Sequence, residues 1–186
     1  ISLANKGGKK KAIEAGISKA TGTLIVTTDA DCEMGTGWIS TIVSFYEENR
    51  PKIIVGPVVL SGEENLSQKV QTQEMIVLTA CTGAALFYNS PIMCSGANLA
   101  YEKDAFYAVN GFQDVDKTAT GDDVFLMLKM HKIFPGQIKY LRSKEAVVYT
   151  HPENNSASVL SQRKRWASKT FSYGPAPVTG VALLVF

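Results

Sequence analysis

The sequence has few of the residues that build disulfide frameworks, zinc sites or nucleic-acid surfaces. Its 186 residues include three cysteines and two histidines, and neither set has metal-ligand spacing. We therefore expect reduced cysteines facing the cytosol, without a disulfide scaffold or a zinc knuckle. The 19 basic residues nearly balance the 17 acidic ones, for a net charge of +2. This balance gives no support to a nucleic-acid partner.

Apolar runs long enough to span a membrane are also lacking. The stretches 75–88 and 181–186 both fall short of the roughly 20 apolar residues that a spanning helix needs. The chain length and the 45% apolar content suit one domain with a substantial core. Because the sequence starts at Ile1 and ends in an apolar run, we expect it to be a piece of a longer protein. We predict that 171–186 begins an interfacial or transmembrane segment.

The stretch 24–32 carries the clearest functional signal. Its apolar residues 24–26 predict a strand buried on both faces, and polar residues follow at once. In an open α/β sheet, ligands bind beyond the carboxyl ends of the strands. If the segment stays extended, Asp29 and Asp31 share a face and could hold one hard cation. The alternative is a strand that ends in an Asp-rich turn.

The rest of the chain alternates between helical and strand patterns. Helical periodicity predicts helices over 38–46, 103–109, 124–131 and 159–169, a Lys-rich helix near the start, and a long core helix that includes 75–88. Strands are predicted over 53–60, with a break at Gly56-Pro57, and over 137–141 and 146–150.

Two glycine-containing turns are candidate ligand sites. Gly8-Lys9 begins the Lys-rich helix, and free N–H groups at a helix start favour phosphate. The alternative there is a solvated basic face. Gly96 lies in a run of small residues between apolar flanks, where a ligand can approach the backbone closely. The alternative at Gly96 is a plain turn beside a strand.

Two helices carry polar residues in patterns that suit a site. Asp122 and Asp123 follow a glycine and open the helix 124–131, where acidic residues also serve as caps. In the basic helix 159–169, Gln162 lies three and four residues before Arg165 and Trp166, so the three share one face. A basic helix before an apolar run also suits a membrane surface.

The order of these motifs resembles family 2 glycosyltransferases of the GT-A fold. The motifs are Gly-Lys, Asp-x-Asp, Ser-Gly-Ala-Asn, Gly-Asp-Asp and Gln-x-x-Arg-Trp. Within that family the chain resembles the membrane-bound synthases of cellulose, chitin, hyaluronan and poly-N-acetylglucosamine. The resemblance implies an α/β, Rossmann-like mixed sheet flanked by helices, with 1–170 as a partial catalytic domain. Relatives begin about one βαβ unit earlier, so we expect that N-terminal portion to be missing here.

The resemblance also implies a chemistry. Relatives transfer a sugar with inversion from a nucleotide diphosphate donor, usually a UDP-sugar, to a hydroxyl of a glycan or lipid-linked acceptor. Asp29 and Asp31 would be the DxD motif, with Asp31 on Mg²⁺ or Mn²⁺ and Asp29 on the metal or the nucleotide. Gly8 and Lys9 would lie beside the nucleotide.

The remaining site residues are assigned by the same resemblance. Gly96 would line the acceptor site, and Asp123 would be the general base, with Asp122 bracing the loop or capping the helix. The residues that would cap the donor diphosphate and the acceptor sugar are Gln162, Arg165 and Trp166. The whole protein would work at the cytoplasmic face of the cell membrane.

Two other classes of function fit parts of the pattern. Phosphatases and phosphotransferases of the haloacid dehalogenase type also begin with Asp-x-Asp after a strand. They need Thr or Val two residues after the second Asp, where this chain has Glu33, and they lack Gln-x-x-Arg-Trp. A membrane-docked module that binds nucleotide or sugar without turnover is the other alternative.

Overall fold

The computed structural model describes residues 8–113 and 121–170, in which helices cover a mixed sheet on both faces. The helices are α1 Lys9–Lys19, α2 Trp38–Asn49, α3 Leu66–Phe87, α4 Lys103–Ala108, α5 Asp122–Ile133 and α6 Ser156–Thr170. The strands are β1 Leu24–Thr27, β2 Glu33–Met34, β3 Ile53–Val55, β4 Val58–Leu60, β5 Leu99–Glu102, β6 Ile138–Tyr140 and β7 Val148–Thr150. Short 3₁₀ turns cover Gly96–Asn98 and Lys144–Ala146.

The strands form two sheets of unequal size. The larger has the order β1-β5-β3-β6, with β5 antiparallel to both neighbours and β3 parallel to β6. The smaller has the order β2-β7-β4, with β7 antiparallel to β2 and parallel to β4. The predicted α/β fold with a mixed sheet flanked by helices is therefore confirmed.

Alternating side chains on the central strands create two cores. Ile53 and Val55 of β3 pack on one face, and Ile54 between them packs on the other, because successive strand residues point to opposite sides. The first core includes residues of α4 and α5, among them Phe106 and Met127. The second core contains residues of α2, the smaller sheet and the 3₁₀ turn at 144–146.

The chain passes from one sheet to the other at Gly56-Pro57, the predicted break between β3 and β4. The buried amide of Asn98 fixes this crossing, since its Nδ2 donates to the carbonyls of Pro57 at 2.8 Å and Ala146 at 2.7 Å. Its Oδ1 accepts from the indole Nε1 of Trp38 at 3.1 Å. A Cβ at Gly56 would lie only 2.4 Å from Asn98 Nδ2, so glycine is required there.

The structure corrects the predicted burial of β1. The sequence predicts a strand covered on both faces, but all four residues of Leu24–Thr27 are only partly buried. Within the described sheet, β1 lies at the edge and pairs only with β5. Ile25 packs against the first core, and Leu24 and Val26 pack against the second, so each face of this edge strand is covered only in part.

The long helix predicted around 75–88 is α3, and it begins earlier than the apolar stretch. Asn65 is its N-cap, and the Asn65 side chain accepts from the amide of Gln68 at 3.1 Å. Among residues 8–113 and 121–170, no helix combines the length and apolarity needed to cross a membrane. The predicted interfacial or transmembrane segment 171–186 lies outside the described residues.

Replacing Asn98 by Ala should lower the free energy of unfolding by about 3 kcal/mol, because two buried carbonyls and the Trp38 indole lose their partner. Trp38→Phe removes one of the three bonds and should cost roughly 1 kcal/mol from that bond. Denaturant unfolding measures both. The exposed Asn49→Ala is the control and should stay within about 0.5 kcal/mol of wild type. Equal stability of Asn98→Ala and Asn49→Ala would contradict the role of the amide.

Candidate active site

The DxD residues lie in a turn that follows β1. The strand ends at Thr27, and the amide of Cys32 donates to the carbonyl of Asp29 at 3.3 Å. The extended geometry that would place Asp29 and Asp31 on one face is therefore wrong, and the alternative of an Asp-rich turn describes the backbone. Asp favours such turns through local hydrogen bonding. Asp31 is exposed and Asp29 is partly buried, so both carboxylates are accessible.

A chain of hydrogen bonds joins the end of β1 to the start of α5. Thr27 Oγ1 donates to the carbonyl of Gly96 at 2.9 Å. The amide of Gly96 in turn donates to Asp123 Oδ2 at 2.7 Å. Gly96 thus connects the strand that precedes the DxD residues to the predicted base. A Cβ on Gly96 would approach Asp123 Oδ2 to 3.5 Å, and its absence leaves that space open.

The start of α5 explains the Gly-Asp-Asp sequence. Gly121 has a φ of +95°, a left-handed conformation that favours glycine. It is the N-cap residue of α5, and it provides no side-chain hydrogen bond to the helix start. Asp123 Oδ1 accepts from the adjacent amide of Val124 at 3.0 Å. Asp122 forms no such cap and instead pairs with Lys10, whose Nζ lies 3.2 Å from Asp122 Oδ1.

The first turn of α1 places cations beside both acidic motifs. Lys9 Nζ donates to Asp29 Oδ1 at 2.7 Å, while the neighbouring Lys10 reaches Asp122. The two pairs differ in burial: side-chain exposure is 64% and 41% for Lys9 and Asp29, but 17% and 14% for Lys10 and Asp122. The alternative of a wholly solvated lysine face therefore holds for Lys11, which is exposed, but not for Lys10.

The electrostatics of Lys9 show that the carboxylates converge on it. Burial is the largest single influence and lowers the pKa of Lys9. The hydrogen bond to Asp29, with the charges of Asp29, Asp123 and Asp122, outweighs burial and raises the Lys9 pKa above its ordinary value. Carboxylates from both motifs thus act on one ammonium group.

The thiol of Cys94 lies near this cluster, and its surroundings favour the protonated form. Burial raises the Cys94 pKa well above its ordinary value, and the negative charge of Asp123 raises it further. A thiol held in its protonated form is a weak nucleophile.

Most of the predicted site residues meet at one edge of the larger sheet. Direct contacts join Lys9 to Asp29 and Gly96 to Asp123, while Asp122 pairs with Lys10 and Gly8 is the N-cap of α1. Within the described part of the chain, no group of three or more His, Cys, Asp or Glu side chains is placed to hold a metal ion.

The Gln-x-x-Arg-Trp residues lie on α6, as the sequence predicts, and Gln162 is partly buried. An ion pair joins α6 to α3, in which one nitrogen, Arg163 Nη2, donates to both carboxylate oxygens of Glu74 at 2.6 and 2.7 Å. The side chains of Arg165 and Trp166 lie outside the described part of the structure, so their contacts with donor and acceptor stay predictions.

Sequence reasoning did not identify Lys10, Thr27 or Asn98 as residues that build the site. One feature of the sequence could have indicated Lys10, because it follows Lys9 at a helix start beside a glycine pair. Thr27 carried a weaker signal, as the last residue of the strand before the DxD turn. No local pattern marks Asn98, because its three partners are 41 to 60 residues away in the chain.

Solved structures with a similar fold are glycosyltransferases. The mannosyltransferase PcManGT from Pyrobaculum calidifontis, in complex with GDP-Man and Mn²⁺, aligns with a TM-score of 0.62 at 15% identity, covering 100% of this chain and 50% of that one. S. aureus TarS 1–349 in complex with UDP-GlcNAc aligns with a TM-score of 0.53 at 13% identity, covering 82% and 41%. GalNAc-T7 with UDP, GalNAc and Mn²⁺ aligns with a TM-score of 0.55 at 12% identity, covering 82% and 32%.

These likenesses show the GT-A fold, and this chain spans half or less of the length of those proteins. No curated protein sequence matches the chain significantly. The sequence profile of glycosyl transferase family 2 matches residues 1–109, more than half of the 186 residues. The chain therefore belongs to glycosyl transferase family 2. This assignment excludes the alternative of a phosphatase of the haloacid dehalogenase type.

Proposed function

We propose that the chain is part of an inverting glycosyltransferase that moves a sugar from a nucleotide diphosphate donor, a UDP-sugar in our assignment, to a hydroxyl acceptor. We assign the acceptor as a glycan or a lipid-linked acceptor. The observation that carries the proposal is the meeting of the Lys9–Asp29 and Gly96–Asp123 contacts at one sheet edge. It joins a cationic, phosphate-binding side to a carboxylate that can take a proton.

The donor side is the start of α1 together with the DxD turn. Gly8 is the N-cap of α1 without a side-chain cap, and a Cβ there would meet nothing within 4 Å. Open amide groups at a helix start favour phosphate oxygens. Lys9 is exposed and adds a positive charge beside them. The donor diphosphate therefore fits against Gly8 and Lys9.

The carboxylates of the DxD turn suit Mg²⁺ or Mn²⁺. Hard divalent cations take oxygen ligands and are often shared between carboxylates and substrate phosphates. Asp29 already holds a cation, the Lys9 ammonium at 2.7 Å, so its carboxylate is placed where positive charge is stabilised. Asp31 is exposed and available as the second ligand. When bound, the metal would stabilise the negative charge that develops on the leaving diphosphate.

The acceptor side is the Gly96 turn and Asp123. Each carboxylate oxygen of Asp123 accepts one backbone N–H, from Gly96 and from Val124, which fixes the orientation of the group. A carboxylate oxygen can accept more than one hydrogen bond, so Asp123 can also accept from a substrate hydroxyl. As that hydroxyl attacks the sugar carbon from the side opposite the diphosphate, its proton passes to Asp123. The diphosphate leaves with the bonding electrons, and the configuration at the carbon inverts.

The α6 residues complete the proposed site. We assign Gln162 and Arg165 to the donor diphosphate and Trp166 to the acceptor sugar, where its flat face suits stacking. Support comes from the sequence pattern and from the helical conformation of Ser156–Thr170, which places residues three and four apart on one side.

The metal assignment predicts that Mn²⁺ or Mg²⁺ raises the affinity for UDP, because the cation offsets charge on both the carboxylates and the diphosphate. With metal present, we expect Asp31→Ala to bind UDP at least about tenfold more weakly than wild type does, a difference of ~1.4 kcal/mol. Without metal, the two proteins should bind UDP with similar affinity. Calorimetry measures both conditions. Glu33→Ala removes an exposed carboxylate two residues away and should behave as wild type. Metal-independent UDP binding in the wild type would contradict the assignment.

The base assignment predicts a division of effects between the adjacent carboxylates. Asp123→Asn should keep the fold, since the amide oxygen can still accept from Gly96 and only the bond from the Val124 amide is lost, but it should lower kcat by about 10²-fold or more. Asp122→Asn should lower kcat less, roughly tenfold, and reduce stability by about 1 kcal/mol, because it weakens a partly buried ion pair. Turnover and melting temperature are measured side by side. A stable, inactive Asp122→Asn beside an active Asp123→Asn would reverse the roles.

We further propose that the whole protein works at the cytoplasmic face of the cell membrane. The support is in the sequence, where the basic helix 159–169 is followed by the apolar run 181–186. The full-length protein should then stay in the membrane pellet after carbonate extraction and need detergent for release. Marker proteins, one peripheral and one integral, serve as controls. Release into the supernatant with the peripheral marker would reject this localisation.

The remaining alternative, binding without turnover, is separated by a direct assay. Thermal shift with Mn²⁺ and a panel of UDP-sugars and phosphate esters identifies the ligand class, and product analysis detects transfer. Transfer of a sugar with inverted anomeric configuration supports the proposal. Stabilisation by a UDP-sugar with no transfer from the full-length protein would favour the binding module.

A further inference from the structure

Lys10 differs from the other lysines of the basic α1 start. Its side chain is only 17% exposed and pairs with Asp122, itself 14% exposed, at 3.2 Å. Lys9 on one side is 64% exposed, and Lys11 on the other is also exposed. Burying an ammonium group is costly unless a partner compensates it, so the Lys10 pair is a specific contact.

The carboxylate of Asp122 depends on this partner. Asp122 Oδ1 is buried, and among the described residues it has no well-formed hydrogen bond. The ammonium of Lys10 is the ionic contact that compensates it. Removing that ammonium would leave a buried carboxylate without its counter-charge, which favours movement of Asp122 toward water.

Movement of Asp122 would disturb the neighbouring residue that meets the acceptor. Asp122 is the first residue of α5, and Asp123 follows it directly. The N-cap residue Gly121 provides no side-chain hydrogen bond to the helix start, and its backbone has a left-handed conformation. The Lys10 pair thus ties the first turn of α5, from which Asp123 contacts the amide of Gly96, to the first turn of α1.

We propose that Lys10 is a positioning residue for glycosyl transfer, acting through Asp122 to keep the Asp123 carboxylate aligned at Gly96. This inference rests on the proposed function in that it takes Asp123 as the base. In this assignment Lys10 acts through Asp122 and not through a contact of its own with donor or acceptor. The consecutive lysines therefore divide their tasks: Lys9 serves the donor side, and Lys10 serves the acceptor side.

The kinetic test compares Lys10→Met, Lys10→Arg and the control Lys11→Met in the full-length protein. Lys10→Met should lower kcat about tenfold or more and leave the donor KM within roughly twofold, because a small displacement of a catalytic group slows the chemical step. Lys10→Arg keeps the charge and should recover most of the loss. Lys11→Met should match wild type. A raised donor KM with unchanged kcat in Lys10→Met would overturn the proposal in favour of a donor contact.

A second measurement does not require turnover. The amide signal of Gly96 in ¹H–¹⁵N spectra reports its hydrogen bond to Asp123. It should shift in Lys10→Met and in the milder Lys10→Gln, but not in Lys11→Met. If the wild type transfers no sugar, the proposed function is wrong. The spectrum still tests whether Lys10 keeps Asp123 aligned at Gly96. An unshifted Gly96 signal in a folded Lys10→Gln protein would overturn the positioning role whatever the activity.

Discussion

The buried amide of Asn98 is the constraint on which the arrangement of the two sheets depends. It donates to the carbonyls of Pro57 and Ala146 and accepts from the indole of Trp38, so one side chain joins the strand crossing, the 144–146 turn and α2. Buried polar groups are stable only when their partners are in place. The three segments must therefore adopt one relative position, and Gly56 must lack a Cβ for the amide to fit.

The same constraint extends to the candidate site. Asn98 is the last residue of the 3₁₀ turn Gly96–Asn98, so fixing its side chain also limits where the amide of Gly96 can point. Gly96 then connects to Thr27 through its carbonyl and to Asp123 through its amide. A carboxylate that must meet a substrate hydroxyl within hydrogen-bond distance benefits from such a rigid support. The polar network in the core and the proposed base thus belong to one connected structure.

Features set by local chemistry could be predicted from the sequence, and features set by distant contacts could not. The break at Gly56-Pro57 and the start of α2 at Trp38 follow from residue type and periodicity. The half-buried state of β1 depends on its position at the edge of the sheet, and the apolar residues of the strand do not specify that position. The resemblance placed Asp29 and Asp123 in one site, but the Lys10–Asp122 pair spans over a hundred residues and has no local pattern.

The charges at the site explain why two adjacent lysines are useful. The negative charges of Asp29, Asp122 and Asp123 all raise the pKa of Lys9. Carboxylates this close together repel one another unless cations compensate their charge. Consecutive helical residues point about 100° apart, so Lys9 and Lys10 can meet different carboxylates from one turn. Their unequal burial then separates their behaviour. In the proposed reaction, a donor diphosphate can draw the exposed Lys9 away from Asp29, while the buried Lys10 stays on Asp122 and keeps the acceptor side in place.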